Sequence, residues 1–203
     1  MTNAGVAAIV LAGGASTRMG CDKALIDIAG QPLLRRVCDV ASQCCEVVYV
    51  VSPRSAQYQP LLPPRCQTVP EAIAPGADPP GPLVGFAQGL AQVQQDWVLL
   101  LACDLPNLQA SILQSWRAQL PTVPPDTIAL LPRHPKGWEP LCGFYRRCCL
   151  ADLQAFIAQG GRSFQQWFAT RSVQAINRNA PINPQMLVNC NQPEDLQHIW
   201  PSA

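Results

Sequence analysis

The chain has 203 residues, 48% of them hydrophobic, and a formal net charge of +1. That excludes a polybasic nucleic-acid arm, an acidic tail and global disorder. Only 13% of residues are charged, about half of what a soluble domain usually carries.

The length suits one domain with its own core. Ala7–Ala12 is a continuous apolar run ending at Gly13-Gly14, which predicts a strand buried on both faces. Pro32 opens a helical pattern through Leu33, Leu34, Val37, Val40 and Ala41. Glu46–Val51 is the second predicted strand and Gln67–Val69 a short third. Residues 53–65 and 70–82 are rich in Pro, Ala and Gly and read as loops. A helix is predicted from Leu83 to Gln94, then a strand over Trp97–Ala102 that ends at Cys103-Asp104. Asn107 or Ser111 is the candidate cap of a helix running to Leu120. Thr127–Leu131 and Leu141–Arg147 are further strands. Leu150–Gln159 and Ser163–Ala169 are helices, and Asn191 precedes the start of a short final one. The β-α-β-α order predicts a mostly parallel sheet with helices on both faces. Ligands of such sheets bind beyond the carboxyl ends of the strands, which selects Gly13–Lys23 and Cys103–Pro106.

Ten cysteines raise the question of a disulfide scaffold or a metal site. The N-terminus lacks a basic secretory n-region, and no apolar run reaches the roughly 20 residues of a bilayer span. A cytoplasmic location with reduced thiols is therefore expected, without membrane or nucleic-acid partners. There is no Cys-x-x-Cys pair, and the two histidines, His134 and His198, are far apart. The thiols are expected to be small buried hydrophobes. Of five tryptophans, Trp116 and Trp167 fall in helical patterns and are expected in the core; Trp138 does not.

Basic residues number 14, yet Lys23 and Lys136 are the only lysines. Lys23 lies in the glycine-rich stretch Leu11-Ala12-Gly13-Gly14-Ala15-Ser16-Thr17-Arg18-Met19-Gly20-Cys21-Asp22-Lys23. Loop amides can hold phosphate oxygens, and Arg18 and Lys23 bring positive charge. The stretch is neither Gly-x-x-x-x-Gly-Lys-Ser/Thr nor Gly-x-Gly-x-x-Gly. By chemistry alone it is an anion-binding loop or a plain strand-to-helix turn. Asp104, likewise, is a metal ligand or a helix cap.

The motif from Leu11 to Leu25, with Gly30-Gln31-Pro32-Leu33-Leu34, resembles the signature of nucleotidyltransferases of the sugar-nucleotide pyrophosphorylase type. Three later stretches are similar to the molybdenum cofactor guanylyltransferases of that superfamily: Pro80–Gly85, Ala102-Cys103-Asp104-Leu105-Pro106, and Val188–Leu196. The resemblance covers nearly the whole chain. It implies a Rossmann-like, doubly wound α/β fold of the nucleotide-diphospho-sugar transferase kind, with residues 1–110 mainly binding nucleotide and 111–203 mainly the acceptor. It implies transfer of GMP from GTP to the terminal phosphate of molybdopterin, metal-loaded or not, with pyrophosphate released. Other molybdenum cofactor biosynthesis or acceptor proteins are the partners it suggests.

For the residues, the resemblance implies that Lys23 and Arg18 act on the triphosphate and that Asp104 binds Mg²⁺, or Mn²⁺ in its place. Leu11, Ala12, Gly13 and Gly14 would offer backbone groups to GTP, with Ser52 and Glu71 beside it. Arg162, Ser163, Asn189 and Asn191 would face molybdopterin. Glu139 receives no role. A molybdopterin cytidylyltransferase or a sugar-phosphate enzyme shares the first loop, and a non-enzymatic GTP or cofactor carrier is the rival of another class.

Overall fold

Alternate residues of a strand face opposite sides of its sheet. In β1 (Val6–Leu11) every residue is buried, so both sides must be covered. A computed structural model of the chain describes residues 5–13, 22–72, 81–177 and 184–190. Among them, β4 (Val48–Ser52), β5 (Cys66–Pro70), β6 (Trp97–Ala102), β7 (Ala129–Leu131), β10 (Cys142–Arg146) and β11 (Val173–Ala175) join β1 in a seven-stranded sheet of order β11-β7-β10-β6-β1-β4-β5.

β1 pairs in parallel with both β4 and β6, and β4 with β5. β10 runs antiparallel to β6 and β7, while β11 is parallel to β7. The sheet is thus mostly parallel with one reversed strand. On one side, Ala8, Val10, Leu99 and Leu101 pack with helices α1 (Leu33–Cys44) and α4 (Ala110–Arg117). On the other, Ala7, Ile9, Val98 and Leu100 pack with α3 (Pro82–Leu90), α5 (Leu150–Ala158) and α6 (Phe164–Phe168). An aromatic group fills that second side, with Phe86 and Tyr145 at 4.8 Å between ring centroids and Tyr145 stacked on Trp167.

Most of the described thiols are buried, as expected. Cys38 and Cys44 belong to the apolar stripe of α1. Cys38, Cys44, Cys45, Cys66, Cys103, Cys142 and Cys149 are buried thiols, and among the described cysteines Cys148 is the exposed one. Trp116 and Trp167 are fully buried. No described helix is long and apolar enough to cross a membrane.

Several elements differ from the pattern-based expectation. Residues 53–65 are not all loop: α2 (Ser55–Tyr58) and a 3-10 turn (Gln59–Leu61) lie there. Four residues are too few for a helical period to register. α3 ends at Leu90 and α4 at Arg117, earlier than expected. Neither Asn107 nor Ser111 caps α4; Gln109 precedes it without a side-chain bond, and Asn107 instead donates to the Gln185 carbonyl. Short hairpins β2 (Asp27–Ile28) with β3 (Gln31–Pro32) and β8 (Arg133–His134) with β9 (Gly137–Trp138) were not visible as apolar alternation. The first turns at Ala29 and Gly30, both at positive φ, with Gly30 N–H donating to the Asp27 carboxylate at 2.8 Å. The helix expected after Asn191 lies outside the described residues.

Candidate active site

Because β1, β4, β5 and β6 are parallel, their carboxyl ends share one edge of the sheet. A cleft of about 280 Å³ opens there. Leu11, Ala12 and Gly13 form its floor at the end of β1, and Asp104 stands at the end of β6. The Cys103 N–H donates to the Leu11 carbonyl at 3.0 Å, so the two strand ends are tied together. The Cys190 N–H donates to the Asp104 carbonyl at 2.9 Å, which brings Asn189 into the cleft wall.

The Lys23 Nζ lies 3.6 Å from Asp104 Oδ2, and the Asp104 side chain is 18% exposed. Burial pushes the Asp104 carboxyl above its ordinary value, and the Lys23 charge only partly offsets this. A cation would relieve the remaining cost. Among the described residues no group of three or more His, Cys, Asp or Glu side chains is placed to hold a metal unaided. One hard carboxylate facing a cleft is the donor set Mg²⁺ accepts when phosphates and water complete its shell.

Lys23 is carried by a one-turn 3-10 helix, Lys23–Leu25, whose cap is Asp22. Asp22 accepts from the Ala24 N–H at 3.1 Å, from the Tyr58 hydroxyl at 2.7 Å and from Arg54 at 2.7 Å. Asp22, Arg54 and Tyr58 all line the cleft and were missed in the sequence. Arg54 and Tyr58 sit in the stretch that reads as loop; the position of Asp22 beside Lys23 was the available signal.

Glu71 lies on the far side of the cleft, just beyond β5. Its N–H donates to the Ser52 carbonyl at 3.0 Å. Its carboxylate fills the space a Cβ would need at Gly13 and lies 3.2 Å from one built on Gly85, so both positions are small to admit it. Burial pushes the Glu71 carboxyl up.

Of the other predicted residues, Ser52 is fully buried beneath the cleft. Its hydroxyl donates to the Ala12 carbonyl at 2.7 Å and accepts from the Arg54 N–H at 3.0 Å. It shapes the floor from below. Arg162 donates to the carbonyls of Ile157 and Gly161, and Ser163 caps α6 through the Gln166 N–H. Neither is among the residues lining the cleft. Gly14, Arg18 and Asn191 lie outside the described residues. Glu139 is half-buried; burial raises its carboxyl, which accepts from the Leu141 N–H and senses the Asp104 charge. Trp138, with Arg133 over its ring at 4.9 Å, pairs its backbone with the Gln165 amide.

Residues 8–196 match the family described as the MobA-like NTP transferase domain. The chain is 58% identical to a probable molybdenum cofactor guanylyltransferase of Trichormus variabilis, over 95% of this chain and 89% of that protein. It is 45% identical to a probable molybdenum cofactor guanylyltransferase of Synechococcus elongatus, over 95% of this chain and 97% of the relative. Among solved structures, molybdopterin-guanine dinucleotide biosynthesis protein A from Archaeoglobus fulgidus superposes with a TM-score of 0.73 at 21% identity, covering 95% of this chain and 96% of that one. That likeness shows a shared fold.

Proposed function

This chain belongs to the family of MobA-like NTP transferase domains, and we propose that it transfers GMP from GTP to the terminal phosphate of molybdopterin, releasing pyrophosphate. The observation that carries the reading is the Lys23–Asp104 pair at the strand ends of the cleft, in a chain so similar to molybdenum cofactor guanylyltransferases.

The reaction joins two anions. An acceptor phosphate oxygen attacks the α-phosphorus of GTP while the bond to pyrophosphate breaks. No protein nucleophile is required; charge neutralisation and alignment carry the catalysis. Asp104 would hold Mg²⁺, or Mn²⁺ in its place, which when bound neutralises phosphate charge. Lys23 is the cation for the triphosphate and the departing pyrophosphate, and Arg18 is assigned the same task. Leu11, Ala12, Gly13 and Gly14 are assigned to offer backbone groups to the nucleotide.

Glu71 accounts for base choice. Guanine presents N1–H and a 2-amino group side by side, and a carboxylate accepts from both. Cytosine and adenine each offer one amino donor beside a ring-nitrogen acceptor, so one of the two bonds to the half-buried carboxylate would be lost. Asn189, joined to Asp104 through the Cys190 amide, is the described residue best placed for the acceptor. We assign residues 1–110 mainly to the nucleotide and 111–203 mainly to the acceptor.

Pyrophosphate release with molybdopterin and each of GTP, CTP and ATP tests the reading. Turnover with GTP at least about tenfold above the others is expected, as for one lost charged hydrogen bond. Equal or greater turnover with CTP would overturn it.

A further inference from the structure

Ala12, before the glycines of the nucleotide loop, and Asp22, directly before Lys23, are both fastened to the turn that follows β4. At the first, the Ser52 hydroxyl donates to the Ala12 carbonyl at 2.7 Å and accepts from the Arg54 N–H at 3.0 Å. At the second, one oxygen of Asp22 caps the turn that carries Lys23, while the other accepts from the Tyr58 hydroxyl and the Arg54 guanidinium, both at 2.7 Å. Arg54 therefore belongs to both attachments, through its backbone and through its side chain.

Tyr58 is 1% exposed, so the ring that carries this hydroxyl is locked in the core. Burial, with the Asp22 charge beside it, pushes the phenol up, and Tyr58 remains a donor across the neutral range. The Asp22 side chain is 15% exposed. Its second oxygen is occupied from two directions, which fixes the carboxylate in one orientation. This has a consequence for the next residue. An Asp22 carboxylate released from Tyr58 and Arg54 would be a competing partner for the neighbouring Lys23 ammonium, and a lysine neutralised there is lost to the triphosphate. A fixed carboxylate instead leaves Lys23 directed toward Asp104, 3.6 Å away.

We propose that Tyr58, Arg54 and Asp22 form a clamp of positioning residues that holds Lys23 in place for the nucleotide triphosphate. The clamp rests on the functional reading above for the identity of the nucleotide, GTP. It acts through Lys23 and touches no reacting atom.

A double-mutant cycle on GTP affinity in the presence of Mg²⁺ tests this, using Tyr58→Phe, Lys23→Ala and the pair. Tyr58→Phe keeps the buried ring and removes the hydroxyl. It is expected to weaken GTP binding about tenfold, the lower end for a hydrogen bond to a charged group. In the Lys23→Ala background the same change is expected to have no further effect. In turnover, KM for GTP rises while KM for the acceptor stays, and the thermal midpoint of Tyr58→Phe remains near that of the wild type. Losses that multiply independently would overturn the clamp, because Tyr58 would then act other than through Lys23. If Tyr58→Phe fails to fold, Asp22→Asn takes its place in the cycle with the same two outcomes. A wild-type protein that binds GTP but forms no dinucleotide refutes the functional reading and leaves the cycle readable. One that binds no GTP refutes both.

Discussion

Asp104 is held in a place where its charge is costly. Its carboxyl is raised by burial, and the nearby Lys23 does not cancel the effect. A carboxyl raised in the folded state contributes stability that is full below its unfolded value and is lost as pH rises through the folded one. At neutral pH the ionised Asp104 therefore opposes folding. Asp104→Asn is expected to keep or raise the thermal midpoint at pH 7 while transfer falls by about 100-fold or more. A variant with a lower midpoint, or with wild-type turnover, would contradict this role. At limiting Mg²⁺ the wild-type rate should also decline on acidification, because the protonated Asp104 carboxyl no longer binds a cation. A pH–rate profile reads that directly. Lys23 was legible because the chain has so few lysines. Ser52 stood out only through the family resemblance, and a serine gives no sign of which way its hydroxyl points. Its burial puts it beneath the nucleotide loop.

At the scale of elements, α3 sits unusually close to the sheet. A Cβ at Gly89 would lie 2.7 Å from Val51 Cγ2 and 3.1 Å from Ile9 Cγ2. By helix propensity alone, Gly89→Ala should stabilise by roughly 0.5–1 kcal/mol. The contact reverses the sign, and a loss of about 1–3 kcal/mol is expected in denaturant unfolding, as for overpacked cores. Since α3 begins beside the cleft at Gly81 and Pro82, GTP affinity should fall as well. On the same side of the sheet, Asp152 of α5 receives the Trp167 indole N–H at 2.8 Å and two bonds from Arg171. Arg171 holds the Asp152 carboxyl below its ordinary value. That contribution is present above the unfolded carboxylate value and lost as pH falls through the folded one, the reverse of Asp104. Asp152→Asn should lower the thermal midpoint at pH 7 and converge with the wild type in acid. The long elements were legible because β1, β6 and α1 bury enough residues to repeat their pattern. The three residues of β11 and the four of α2 do not, and tertiary contacts decide them.

For the whole molecule, net charge conceals where recognition occurs. A total of +1 is compatible with polyanionic substrates because positive charge meets the cleft locally, at Lys23. The two apolar layers flanking the sheet account for the low charge content and for most of the thiols. Burial, with the Asp104 charge beside it, pushes the Cys103 thiol up to about 12. Peptide mapping after brief alkylation should therefore find Cys148 modified in the native protein, with Cys38, Cys103 and Cys142 modified only on unfolding. Rapid native labelling of Cys103 would contradict that placement.

The central claim concerns which phosphorus is attacked, and labelled GTP reads it most directly. With molybdopterin and Mg²⁺, label on the α-phosphate should appear in a pterin–guanine dinucleotide, and label on the γ-phosphate should leave in pyrophosphate. An α-label that ends in free GMP or GDP, with the pterin unmodified, would contradict guanylyl transfer.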